Sequence, residues 1–129
     1  MSSPALDPGL NVVQKCLLAS LPYIAPNLRV GNGLKANFIS HDANTVATYL
    51  ADPLVHDRIS ARLASVIANT GTATIQSAAA WTVPTLLMFA GSDRLVSPAG
   101  SHAFASAAPA CVQTHEFAHM FHEIFNEPD

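Results

Sequence analysis

Thr85-Leu86-Leu87-Met88-Phe89-Ala90-Gly91-Ser92-Asp93 is the stretch on which the fold of this chain turns. Its first six residues are an apolar run without alternation, the pattern of a strand buried on both faces in a parallel sheet. Gly91, Ser92 and Asp93 then supply turn chemistry. Downstream, Ser97 and Pro98 open a helix of small residues that runs to Ala108, with the serine as N-cap and the proline at the first helical position. Cys111 to Phe117 reads as a second strand, less apolar and so nearer a sheet edge. Strand, helix and strand in this order predict one βαβ unit, whose right-handed crossover leaves the carboxyl ends of both strands on one side.

That order gives two polar residues a common address. Asp93 follows the first strand and His122 the second, so both are expected at the carboxyl edge of neighbouring parallel strands, where open α/β sheets bind ligands. A carboxylate beside an imidazole there can hold the ring in one tautomer and stabilise the imidazolium, while the other ring nitrogen takes a proton from a nucleophile.

Upstream of Val83 the texture is helical. Leu10, Val13, Leu17 and Leu21 recur at spacings of three and four, which predicts a helix from Gly9 that Pro22 ends. Residues 26–40 hold Gly31, Asn32 and Gly33 and read as an irregular connection with a short extended piece at Phe38 and Ile39. Asp42 or Asn44 caps a predicted helix over residues 45–50, which Asp52-Pro53 stops. Ile59, Leu63, Val66 and Ile67 place another helix over residues 57–69, Gly71 interrupts it, and residues 74–81 form a last helical piece. Residues 9–81 are thus expected to be almost entirely helical.

With 129 residues, half of them apolar, the chain has material for one core. Six basic against nine acidic residues leave a formal net charge of −3, no footprint for nucleic acid or an anionic membrane. Met1 to Leu6 lacks the basic and apolar regions of a signal peptide. The longest apolar run, around Cys16 to Ile24, is broken by Ser20 and Pro22 and falls short of the roughly 20 residues of a membrane span. A soluble, cytoplasmic chain is expected, with membrane contact at most peripheral. Cys16 and Cys111 match no metal or redox spacing and read as reduced, mostly buried thiols.

Val83-Pro84-Thr85-Leu86-Leu87, Gly91-Ser92-Asp93-Arg94-Leu95-Val96 and Met120-Phe121-His122-Glu123-Ile124-Phe125-Asn126-Glu127-Pro128 together resemble the C-terminal portion of the α/β-hydrolase family, in its monoacylglycerol lipase and lysophospholipase branch. Ser2-Ser3-Pro4-Ala5-Leu6 resembles the end of a core strand leading into the family's cap, and Asp52-Pro53-Leu54 lies in a stretch similar to that helical cap. The resemblance implies a partial α/β-hydrolase fold: residues 1–8 a stub of a core strand, residues 9–82 a helical cap or lid, and residues 83–129 the C-terminal βαβ part of the core. It implies Asp93 as the acid and His122 as the base of a Ser-Asp-His triad, an apolar acyl ester as substrate, and no cofactor or metal. Leu17, Leu18, Leu21 and Ile24 would be candidates for an acyl-facing surface, or would pack the cap against the sheet.

The nucleophile is the departure. No serine of the chain stands in a G-x-S-x-G word, and the strands and oxyanion loop that precede it in the family have no counterpart here. The chain reads as a fragment of a longer hydrolase, without ester turnover alone and with a strand edge open to association. Two rivals remain. One is a non-catalytic α/β module that binds a ligand or partner. The other is a zinc peptidase through His115, Glu116 and His119, which fit H-E-x-x-H although they follow a predicted strand. His41, His56 and His102 show no partner spacing, and Glu123 is expected to cap a helix beginning after His122.

Overall fold

A computed structural model describes residues 1–128. Its elements are helix α1 (Val12–Ile24), strand β1 (Arg29–Gly31), helix α2 (Ala43–Ala51), strand β2 (Arg58–Ser60), helix α3 (Ala61–Gln76), strand β3 (Thr85–Ala90), helix α4 (Pro98–Ala107) and strand β4 (Val112–Phe117), with short 3-10 turns at Ala36–Phe38 and Ala78–Ala80. No helix among the described residues is long and apolar enough to cross a membrane.

The βαβ unit forms as the sequence predicts. β3 pairs with β4 in parallel, with Thr85 opposite Val112 and Ala90 opposite Phe117. On its other side β3 takes a parallel bridge from Ser2 to Met88, supported by the Met88 amide donating to the Met1 carbonyl and the Ser3 amide to the Met88 carbonyl, both at 2.9 Å. The strand is not buried on both faces. Leu87 and Phe89 are buried against Phe104 of α4, Leu6 and Ala78, while Leu86 on the opposite face is 49% exposed. α4 covers the face that carries Leu87 and Phe89, and on the other face only Ala90 is buried, so this chain covers less of the strand than the apolar run predicts. Trp81 seals the base of the core, edge-on to Phe104 at 5.2 Å and donating its indole N–H to the Thr85 hydroxyl at 3.0 Å.

The upstream region departs further. α1 begins at Val12 because Asn11 and Gln14 close a reciprocal capping box, each side chain accepting the other's amide at 2.9 Å. Pro22 does not end it. The ring costs one amide donor in the last turn, but the Ala25 amide still reaches the Leu21 carbonyl at 2.8 Å, so the helix closes beyond it. Residues 58–60 are strand rather than helix: β1 and β2 pair antiparallel, with Val30 opposite Ile59. α3 starts only after Ser60, whose hydroxyl accepts the Leu63 amide, while the Ala61 and Arg62 amides donate to the Leu28 and Pro26 carbonyls. The segment that leads into β1 thus satisfies amide donors that a helix start leaves open.

α3 also runs unbroken through Gly71 to Gln76. That glycine is buried where the helix crosses the N-terminal segment, and a Cβ there would lie 2.9 Å from the Ala5 carbonyl oxygen. Its role is close approach rather than interruption. α2 is capped by Asp42, whose carboxylate accepts the Asn44 and Thr45 amides; these bonds, the Asn44 amide foremost, hold its pKa below the ordinary value. Both cysteines are free, but Cys16 is exposed on α1 rather than buried.

Candidate functional site

The loops after β3 and β4 are stitched to one another. The Gly91 amide donates to the Phe117 carbonyl at 2.9 Å, the Ser92 amide to the Met120 carbonyl at 3.3 Å, and the Ser92 hydroxyl to the Ala118 carbonyl at 2.9 Å. Gly91 permits this approach, since a Cβ would stand 2.8 Å from the Ala118 Cα. The stitching brings Asp93 and His122 together: His122 Nδ1 lies 2.8 Å from Asp93 Oδ2.

The Asp93 side chain is only 1% exposed, and its other oxygen, Oδ1, accepts the amides of Leu95 at 2.8 Å and Val96 at 3.1 Å. Three donors thus converge on one buried carboxylate and fix its orientation. Nδ1 of His122 must donate to it, which leaves Nε2 as the free acceptor of the neutral ring. The bond to Asp93 raises the His122 pKa above the ordinary 6.5; burial opposes it, and the charges of Asp93 and Glu123 add to it. A ring so held is a proton acceptor whose charged form is already stabilised.

The predicted pair is therefore adjacent. The four leucine and isoleucine candidates are elsewhere, on α1, which packs against α3: Leu17 and Ile24 are exposed, Leu18 and Leu21 half-buried. An open pocket beside the histidine loop, about 410 Å³, is lined instead by Asn37, Ser40, His41, Val46, Leu50, Phe121 and two alanines. The zinc reading fails on geometry. His115 and Glu116 lie on β4, so their side chains point to opposite faces rather than sharing a helix face, and His119 lies beyond the strand. Among the described residues no group of three or more metal-ligating side chains is placed to hold an ion. Residues 123–127 form turns rather than a helix, and the Glu123 carboxylate accepts the Asn126 side-chain amide at 2.8 Å.

Two histidines that carried no signal do have partners. His102 Nε2 lies 3.6 Å from Glu116, an exposed pair. His41 Nδ1 lies 2.7 Å from Glu127 Oε2, and the His41 ring stacks on Phe121 with centroids 3.7 Å apart. Arg94, next to Asp93, lies over Phe38 at 5.0 Å and over Phe121 at 5.4 Å. Residues distant in sequence make these contacts, and no local spacing announces them.

A family model described as serine aminopeptidase, S33, matches residues 1–129. A monoacylglycerol lipase of Mycolicibacterium smegmatis is 35% identical over the whole chain, which covers 47% of that protein. Phospholipase YtpA of Bacillus subtilis is 30% identical over the whole chain, which covers 51% of it. The chain spans about half the length of these curated relatives. The crystal structure of Paleococcus ferrophilus monoacylglycerol lipase superposes with a TM-score of 0.93 at 32% identity, covering 99% of this chain and 51% of that one. A soluble variant of monoglyceride lipase from Saccharomyces cerevisiae, 23% identical, shares the fold with a TM-score of 0.78 over 91% of this chain and 41% of that one.

Proposed function

The chain belongs to the serine aminopeptidase S33 family of α/β hydrolases over its full length, and from that premise we propose that it carries the acid and base of a serine hydrolase of lipid esters. Asp93 is the acid and His122 the base. The observation that carries this reading is the 2.8 Å bond between them, with Asp93 Oδ1 held by two backbone amides and Nε2 left to accept a proton.

In the complete reaction a serine Oγ attacks the ester carbonyl as Nε2 of His122 takes its proton. Asp93 stabilises the imidazolium, which returns the proton to the departing alcohol. Water, deprotonated by the same nitrogen, then releases the fatty acid and restores the serine. The residues here supply the proton transfers and no nucleophile, because no serine of this sequence lies in a G-x-S-x-G word. We assign residues 1–8 to the edge of a core strand, residues 9–82 to the cap and residues 83–129 to the C-terminal part of the core. The lipase and phospholipase relatives support acylglycerols or lysophospholipids as the substrate class.

A fluorophosphonate probe tests the division of labour. The 129-residue chain is expected to remain unlabelled and to release no fatty acid from monoacylglycerol or lysophospholipid. Stoichiometric labelling of one of its own serines would sink the reading. In a longer form that contains an elbow serine, His122→Ala is expected to lower kcat by about 10³-fold or more; unchanged turnover would remove His122 from the mechanism.

A further inference from the structure

The loop that carries His122 is anchored on both sides of it by one segment, residues 38–42. After His122, the Glu123 amide donates to the Ile39 carbonyl at 2.8 Å, and the Ser40 hydroxyl donates to the Asn126 carbonyl at 2.8 Å. Before it, the Phe121 ring is stacked on His41 and meets Phe38 edge-on at 5.9 Å. Glu127 closes the arrangement: Oε1 accepts the His41 amide at 2.8 Å, and Oε2 faces His41 Nδ1 at 2.7 Å.

The Glu127 side chain is only 3% exposed. Withdrawing a carboxylate so far from water is costly unless donors replace the water, and here one residue supplies both donors. The His102–Glu116 pair shows the contrast: at 3.6 Å, with side chains 54% and 39% exposed, it is an ordinary surface contact that fixes little. The buried carboxylate holds the His41 imidazole, the imidazole plane holds Phe121, and Phe121 adjoins His122. Arg94, next to Asp93, lies over the Phe38 and Phe121 rings and so ties the acid-bearing loop to the same cluster.

We propose that Glu127, acting through His41 and Phe121, is a positioning residue for His122, fastening the base-bearing loop to the segment that leads into α2. This rests on the reading of His122 as the base. The clasp makes the alignment of His122 depend on that segment, so displacement of residues 38–42 would loosen the Asp93 bond without any change to Asp93 or His122 themselves.

The test is the imidazole titration of His122 by NMR in the 129-residue chain, compared among wild type and the D93N, E127A, E127Q and E116Q variants. E127A is expected to move the His122 midpoint downwards, towards that of D93N, and to broaden the low-field Nδ1 proton. E127Q can still accept from the His41 amide and is expected to recover part of the wild-type behaviour, and E116Q to match wild type. A wild-type His122 titration in folded E127A overturns the proposal, as does an equal shift in E116Q. Should E127A lose its dispersed amide spectrum, His41→Leu decides instead. It keeps an apolar side chain against Phe121 and the backbone donor to Glu127 but removes the imidazole, and an unshifted His122 there also overturns the proposal. An unshifted midpoint in D93N is a different failure, which removes the Asp93 pairing rather than the clasp.

Discussion

At the scale of single residues, the Asp93–His122 pair has a pH signature whose sign follows from its chemistry. A histidine whose folded pKa is raised contributes stability that is fully present below its unfolded value, near 6.5, and is lost as pH rises through the folded value. Asp93→Asn removes the carboxylate whose hydrogen bond, and secondarily whose charge, raises it. The variant is expected to lose about 1–2 kcal/mol of stability in mildly acidic solution. Denaturant unfolding at several pH values should show the gap between wild type and D93N narrowing as pH rises past the His122 titration; a gap that widens instead would mean that another group dominates. Phe104, fully buried and edge-on to Trp81, lies at the centre of the small core. Phe104→Ala is expected to cost about 3–5 kcal/mol, read as a lowered denaturant midpoint.

At the scale of elements, two glycines set how closely neighbours approach. In an exposed helix, Gly→Ala would gain about 1 kcal/mol from propensity. At Gly71 the new methyl would meet the backbone of Ala5 and Leu6, which cannot rotate away as a side chain would. Gly71→Ala is therefore expected to destabilise by about 1–3 kcal/mol, because overpacking outweighs propensity; a stabilised variant would show that the N-terminal segment yields. Gly91→Ala forces the β3 loop away from the Ala118 backbone and is expected to weaken the Asp93–His122 bond, read as a lowered His122 midpoint. What the sequence revealed of these elements follows from range. The βαβ unit was legible because an apolar run, a Ser-Pro helix start and a second strand are local signals, and their order alone placed Asp93 beside His122. β1 and β2 were not, because three residues such as Arg29-Val30-Gly31 carry no period to detect. Gly71 read as a breaker because its reason, the Leu6 backbone, is a tertiary contact. His41 and Glu127 stand 86 residues apart and share no motif.

At the scale of the whole molecule, surface area says how the chain behaves. A compact monomer of 13.6 kDa exposes about 6,600 Å²; this chain exposes 8063 Å². The excess is partly apolar, since Val12, Tyr23, Ile24, Leu54 and Phe125 are all 70% exposed or more. The 129-residue chain is accordingly expected to bind the dye ANS and to self-associate as its concentration rises, which light scattering would record. A sharply melting monomer that ignores the dye would contradict this. The fastening of residues 39–42 to residues 123–127 also bears on the order in which the fold assembles. Joining His41 to Glu127 closes a loop of 86 residues, an entropic cost of about 4 kcal/mol before any contact repays it. The parallel pairing of β3 with β4 closes a far shorter one. The βαβ unit is thus expected to form first and the clasp after the rate-limiting step, so that Ile39→Val speeds unfolding and leaves the refolding rate nearly unchanged. The loop that bears His122 would then be among the last parts of the chain to lock in folding and among the first to open.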